Sequence, residues 1–314
     1  MTGERAFREG RANDIRATYD LAALSLRDAM GRSGVVSAAA DQAFVDEEWP
    51  RQRPLLEFIA AQSGTGFWVC EDDGKLVGYV RVARFTGMDE LTEIAVSPDH
   101  AGAGIGRGLL QRCWPERPTR EQGRVVVTLG TPADLTLYTR FGVMPVAGHW
   151  NLRHRAEEYL ERRSLEATDA TEPDVHVLTP ARAVEEWKRL EPAAIGHERP
   201  ALHEFFVRTR GCLAVLNGAG EAQGLCWMSP DGDIGPAVGA TPEDLIPVVL
   251  AAFDRVAKSH EPELLGVYCT TDSWWLLDRL RRLGFRLHWP SWVMSSVPIP
   301  GLDRYLPTRP ARLL

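Results

Sequence analysis

Residues 93–110 read EIAVSPDHAGAGIGRGLL. An apolar strand ends at Ser97-Pro98, glycines follow at alternate positions 102, 104 and 106, and the chain runs directly into an apolar helical stretch whose first turn holds Gly108. A glycine-rich turn between strand and helix lets several backbone N–H groups converge on one point, where the helix dipole adds partial positive charge. Amides from Gly102 to Arg107 could hold a pyrophosphate there without any charged side chain. The same glycines would equally serve a tight turn with close helix-on-strand packing, so the surroundings decide.

Upstream, Asn13 to about Arg32 has helical spacing, with Asn13 or Asp14 able to cap it. The stretch SGVVSAAADQAFVDEEWPRQ reads as a loop, and Arg53 to Ala61 as a second helix stopped by Ser63-Gly64. FWVCE, DDGK and LVGYVRVAR form a hairpin pattern, and ELTEIAV is the strand that enters the loop. Downstream lie a strand in RVVVTLG, a helix from Thr131-Pro132 to Phe141 stopped by Gly142, and a strand near Val143 to Leu152. A dinucleotide-binding GxGxxG requires a parallel βαβ unit, and a Walker loop requires Gly-Lys-Ser or Gly-Lys-Thr; neither context is present.

Between Ala156 and Asp174 the chain reads as a helical tail and then a charged linker. The second half repeats the order of the first. One offset of 142 residues carries Val96 to Val238, Gly142 to Gly284 and Trp150 to Trp292, which points to internal duplication. The same offset carries Gly102, Gly104 and Gly106 to Asp244, Ile246 and Val248, and Tyr138 to Leu280. An acid and two bulky side chains would spoil a phosphate loop, so the second copy reads as degenerate, stabilising the first and shaping its pocket. The Pro-rich tail from Pro298 either packs as an irregular strap or hangs loose.

Through EIAVSPDHAGAGIGRGLL and LTLYTRFGV, residues 135–143, the chain resembles the GNAT N-acetyltransferase superfamily over roughly residues 5–153, and LLDRLRRLGF echoes it later. The resemblance implies an α/β (α+β) fold of two tandem GNAT-like domains, each a mixed, mostly antiparallel central sheet flanked by helices. The expected layout is an acetyl-CoA-binding catalytic domain over 1–155, a linker over 156–172, and a degenerate domain over 173–314. The implied reaction is transfer of an acetyl group from acetyl-CoA to a primary amine by direct attack. The alternatives are a transferase for a longer acyl-CoA and a non-catalytic acyl-CoA-binding or regulatory module. In the family the loop amides bind the pyrophosphate and the preceding strand holds the pantetheine arm. That implies cofactor contacts from Ile94, Ala95, Val96, Ala101, Gly102, Ala103, Gly104, Ile105, Gly106 and Arg107, with Glu93 at the start of the same run. The chain departs from the pattern at Ala101, where the family usually has Gln or Arg, and Ala103 is uncharged too; Arg107 and Arg112 are the candidates for the missing charge.

The implied chemistry needs a base for the amine proton and an acid for the departing thiolate. Tyr138, four residues before Gly142, is the expected acid, since a phenol can donate to a developing thiolate. Its alternative is a half-buried aromatic on a packed helix. Glu93 is the candidate base, directly or through water, against the alternative of a salt-bridged strand carboxylate. His100 reads as a loop residue near phosphate, and the backbone N–H around Ala95 or Val96 could polarise the thioester carbonyl. Asp46, Glu47, Glu48 and Trp49 could receive a cationic amine or form a solvated face. Trp274 and Trp275 could wall the acceptor pocket or pack in a core; His197 and His203 read as surface or packing residues.

The 314 residues suit two domains, and a composition of 44% hydrophobic and 25% charged residues is that of a globular protein. A net charge of -7 disfavours a nucleic-acid partner. The charged start lacks a signal-peptide core and no stretch is long and apolar enough to span a membrane, so a cytoplasmic location is expected. The five cysteines are widely spaced, without metal-ligand spacing, and read as reduced core thiols; no metal is expected. The expected acceptor is a small-molecule amine or a protein amino group, on a monomer or homodimer.

Overall fold

The computed structural model describes residues 5–32, 41–119, 121–166 and 174–314. These form two compact units, Met1–Val126 with Gly130–Met144, and Val127–Leu129 with Pro145–Leu314. Parts of two expected connections, 33–40 and 167–172, lie outside the described residues.

The first unit runs β1 (Arg5–Glu9), α1 (Asp14–Arg32), α2 (Gln42–Ser63), β2 (Phe67–Asp72), β3 (Lys75–Phe85), β4 (Met88–Val96), α3 (Ile105–Cys113), β5 (Gly123–Thr128) and α4 (Pro132–Arg140). Its strands lie in the order β1-β2-β3-β4-β5, with β4 and β5 parallel and the other neighbours antiparallel. Helix α2 begins earlier than the sequence suggests, capped by the Asp41 side chain accepting from the Ala43 N–H, and it contains both Pro50 and Pro54. Asp46 to Trp49 therefore lie on a helix and not in a loop. Prolines argue against a helix interior. Here the burial of Val45, Leu55, Leu56 and Ile59 outweighs them, Val45 and Leu56 lying in a core shared with Ile15 and Tyr19 of α1, Phe67, Val69 and Tyr79 of the sheet, and Ala95.

The second unit runs β6 (Met144–Arg155), α5 (Ala156–Ser164), β7 (Val175–Val177), α6 (Pro180–Ile195), α7 (Pro200–Phe206), β8 (Gly211–Leu216) and β9 (Ala222–Met228). It continues with β10 (Asp233–Gly239), α8 (Pro242–His260), β11 (Leu264–Thr270), α9 (Trp274–Arg282), β12 (Arg286–Ser295) and β13 (Tyr305–Leu306). The strand order is β12-β6-β11-β10-β9-β8-β7, with β13 on β10. The 142-residue offset carries the bounds of α4 onto those of α9 but not those of α3 onto α8. Asp244, Ile246 and Val248 lie inside α8, and the residue that caps it, as Gly104 caps α3, is Thr241. Both α4 and α8 start with a reciprocal capping box, Thr131 with Asp134 and Thr241 with Asp244.

Strand β6 follows the first half in sequence, yet it is an interior strand of the second sheet, antiparallel to β11 from Leu264↔Arg155 to Thr270↔His149. One face of β6 supplies Leu152 to the core around Val249, Phe253, Val267 and Leu280. The other face carries His149, fully buried and stacked on Tyr268 at 4.5 Å. Ser291 Oγ donates to the His149 carbonyl at 2.6 Å, so it must accept from His149 Nδ1 at 2.7 Å, which fixes the tautomer. Burial pushes the His149 pKa down to about 3.

The tail is a strap: Leu302, Tyr305, Leu306 and Leu313 are buried. Arg199 ties it down by donating to Tyr305 and, at 2.6 Å, to the Leu314 carbonyl. Glu191 accepts from Arg199 at 2.5 Å and lies 2.7 Å from His203. Desolvation pushes its pKa upward, but Arg199 and His203 together hold it well below the usual carboxylate range. His203 is thus a buried packing residue, and the Trp227 Nε1–H donates to its Nδ1 at 3.2 Å. All five cysteines are free and buried, and burial raises the Cys113 and Cys212 thiols to about 12. No helix among the described residues is long and apolar enough to cross a membrane.

Candidate active site

Strand β4 carries a β-bulge. Arg81 pairs with Glu93 and Val82 with Leu91, leaving Thr92 as an extra residue whose hydroxyl donates to the Arg81 carbonyl at 3.1 Å. A bulge bends its strand and increases the local twist. The parallel pairing with β5 accordingly ends at Leu91↔Val126, while β4 continues on to Val96. The last residues of β4 are held by β3 on one edge, through Val80↔Ile94, Tyr79↔Ala95 and Gly78↔Val96, with no β5 partner on the other.

The loop after β4 is built from two left-handed glycines, Gly102 at φ 76° and Gly104 at φ 78°. A Cβ at either would meet nothing within 4 Å, so the backbone conformation, and not space, calls for glycine. Internal bonds from Ala101 N–H to Pro98 O (3.1 Å), Ala103 N–H to His100 O (3.3 Å) and Gly108 N–H to Gly104 O (3.0 Å) shape the turn. Among the described residues the N–H groups of Gly102, Gly104, Ile105, Gly106 and Arg107 have no acceptor. Three of these are first-turn amides of α3, which lack intrahelical partners by construction. The loop is exposed, while Ile105, Leu109 and Leu110 anchor it from below. Gly78 permits that anchorage, since a Cβ there would lie 2.7 Å from Ile105 Cγ2.

Three elements meet at Gly106. A Cβ on it would lie 3.5 Å from Leu137 Cδ2 of α4, 3.8 Å from Val96 Cγ2 and 3.9 Å from Ile94 Cδ1. Tyr138 follows Leu137 and is buried; its carbonyl accepts from the N–H of Phe141 at 2.9 Å and of Val143 at 3.2 Å, which fixes the end of α4. Gly142, at φ 75°, closes the turn against Pro118, whose Cδ would be 2.7 Å from a Cβ.

The structure thus brings Ile94, Val96, the loop from Ala101 to Arg107, and α4 together. Glu93 lies on the other face of β4, by alternation with Ile94, and forms an ion pair at 2.5 Å with Arg81, which is fully buried. Arg81 also donates to the Thr18 hydroxyl and lies 5.0 Å from the Phe67 and Tyr79 ring centres. Any proton Glu93 takes is therefore taken by a carboxylate already engaged with a guanidinium.

Asp46 is ion-paired with Arg16, which holds its carboxyl below the usual range, and the Arg16 guanidinium lies 5.1 Å from the Trp49 ring. The cation that this cluster receives is the chain's own Arg16. Glu48 lies 3.5 Å from Arg51, and Glu47 is exposed. Trp274 and Trp275 stand largely exposed at the start of α9 and are not core residues. His100 Nε2 is 3.2 Å from the Asp72 carboxylate. Of the two arginines considered for the missing charge, Arg107 pairs with Glu116 at 2.6 Å, and Arg112 stacks over Phe7 at 3.8 Å and donates to the Gly108 carbonyl at 2.7 Å. Sequence reasoning missed Arg5, whose Nη1 donates to the Ala103 carbonyl at 3.3 Å. Nothing in the order of residues signals a contact that depends on β1 folding back beside the loop.

The sequence profile of the acetyltransferase (GNAT) domain matches residues 63–143, the interval that holds the bulged strand, the loop and α4. No curated protein matches the chain by sequence. Among solved structures, a protein described as a candidate acetyltransferase from Pyrococcus horikoshii superposes with a TM-score of 0.67 at 14% identity, covering 96% of this chain and 92% of that one. A GCN5-related N-acetyltransferase from Sphaerobacter thermophilus gives 0.60 at 15% identity, covering 96% and 98%. A tandem GNAT protein from the clavulanic acid biosynthesis pathway gives 0.59 at 15% identity, covering 94% and 99%. At these identities the likenesses establish the fold over nearly the whole chain.

Proposed function

We propose that this protein, whose residues 63–143 match the GNAT acetyltransferase domain profile and whose fold is that of tandem GNAT proteins, moves an acetyl group from acetyl-CoA to a primary amine. Acyl transfer from a CoA thioester is the general activity of such domains. The acetyl group, the amine and a cytoplasmic site of action are the finer parts of the reading. One observation carries it: an uncovered β4 edge leads into a loop whose amides at Gly102, Gly104, Ile105, Gly106 and Arg107 have no acceptor among the described residues. Five donors around one helix terminus suit a pyrophosphate.

In this reading Ile94, Ala95 and Val96 hydrogen-bond and flank the pantetheine arm, and residues 101–107 hold the diphosphate. The amine nitrogen attacks the thioester carbonyl and forms the C–N bond, a β4 amide near Ala95 or Val96 stabilises the resulting tetrahedral oxyanion, and its collapse breaks the C–S bond. Tyr138 donates a proton to the departing thiolate. Glu93 takes the amine proton, directly or through a water, on a carboxylate that Arg81 holds in place. The acceptor is a small amine or a protein amino group. Calorimetry with acetyl-CoA tests the reading: the wild-type chain should bind it and Gly104→Asp should not. A wild type that binds no acetyl-CoA would sink it.

A further inference from the structure

We propose that Arg5, on the opening strand, supplies the positive charge for the phosphate-bearing end of the CoA substrate that the turn at residues 101–104 itself lacks. This rests on the reading of residues 101–107 as the diphosphate loop. Positions 101 and 103 are alanines, so no side chain within the turn can bring a cation to the anion. The two nearby arginines of α3 are engaged elsewhere, Arg107 with Glu116 and Arg112 with the Phe7 ring and the Gly108 carbonyl.

Arg5 reaches the loop from outside. Its Nη1 sits 3.3 Å from the carbonyl oxygen of Ala103, between the two left-handed glycines. Its Nη2 is 3.9 Å from Asp72 Oδ2, too far for a hydrogen bond, and its side chain is 37% exposed. A guanidinium carries five N–H donors in a fixed fork. Among the described residues Arg5 spends only one of them on a hydrogen bond, and that one is long. The other donors remain for a phosphate oxygen arriving at the loop. Asp72 also lies beside His100, so its carboxylate steers the guanidinium and offsets part of the local positive charge. The contact pairs charge with charge, whereas the loop amides provide only dipoles.

Calorimetry on the full chain, with CoA, 3′-dephospho-CoA and pantetheine as probes, tests this. Arg5→Ala should weaken CoA binding roughly ten-fold, as expected for one charge-assisted contact, and leave pantetheine binding as in the wild type. Arg5→Lys should recover part of the loss, keeping the charge without the fork. A loss that persists with 3′-dephospho-CoA places Arg5 on the diphosphate; a loss that vanishes places it on the ribose phosphate. Either supports the proposal. Unchanged CoA binding by Arg5→Ala overturns it. So does an equal loss for CoA and pantetheine, which would make Arg5 a brace for the Ala103 turn. Failure of the wild type to bind CoA would instead overturn the reading of the loop.

Discussion

Strands β4 and β10 occupy corresponding places in the two halves and share a defect with opposite outcomes. In β4 the extra residue is Thr92; in β10 the register passes from Ile234↔Met228 to Ala237↔Cys226, again with one residue more than its partner. Parallel pairing with the next strand stops near the bulge in both, at Leu91↔Val126 and at Ile234↔Val267. Beyond it, β10 is covered by the chain's own β13, through Ala237↔Leu306 and Val238↔Tyr305, whereas no strand of the first sheet covers β4 there. A bulge that parts two strands leaves backbone groups seeking partners, and a buried unpaired group costs about 1–3 kcal/mol. The second half meets that need internally. In the first half the same need suits a ligand with amides of its own.

The sharpest way to break this contrast is at the loop. Gly104→Asp places an acid among the amides at a left-handed position and should weaken acetyl-CoA binding by on the order of a hundred-fold or more. Thr241→Gly, at the N-cap of α8 where α3 has Gly104, should create no CoA binding, because β13 still fills the edge. Binding gained there, read by the same calorimetry, would show that the strap is no plug. Leu306→Ala should cost the second core about 2–4 kcal/mol in denaturant unfolding and leave acetyl-CoA affinity unchanged. Once an acceptor amine is found, Tyr138→Phe should lower kcat roughly ten-fold or more with little change in KM for acetyl-CoA. An equal rise in KM would assign Tyr138 to packing.

The last expected effect is acid sensitivity of the second unit. His149 stays neutral when folded down to about pH 3, against an ordinary value of 6.5. The unfolded chain therefore binds the extra proton between those values, and stability should fall as pH drops through that window by at most about 1.4 kcal/mol per pH unit. His149→Gln should flatten that slope in unfolding curves taken at pH 7 and pH 5. An unchanged slope would remove His149 from the account.

The loop and the repeat were legible because their signals are local: alternate glycines before an apolar helix, and a helix-strand pattern returning at one offset. The bulge was not: the adjacent polar residues Thr92 and Glu93 break the alternation of ELTEIAV, but only pairing with β3 reveals Thr92 as surplus. Strand β13 is two residues within a Pro-rich tail and exists only through its long-range partner. The start of α2 was hidden by Pro50 and Pro54, whose helix-breaking tendency is overridden by burial that no local pattern announces. Arg5 and Arg16, the cations that meet the loop and the acidic cluster, act across turns of the fold.

The β13 cover makes the molecule its own clock. Amide protons of β10 near Ala237 and Val238 are shielded whatever is in solution, so their exchange with deuterated water should run at one slow pace. That of Val96, at the same point of the repeated strand, faces the outer edge and is shielded only while something lies along it. The ratio of the two paces reads occupancy of the first half directly, in one sample, before any acceptor for the reaction is known.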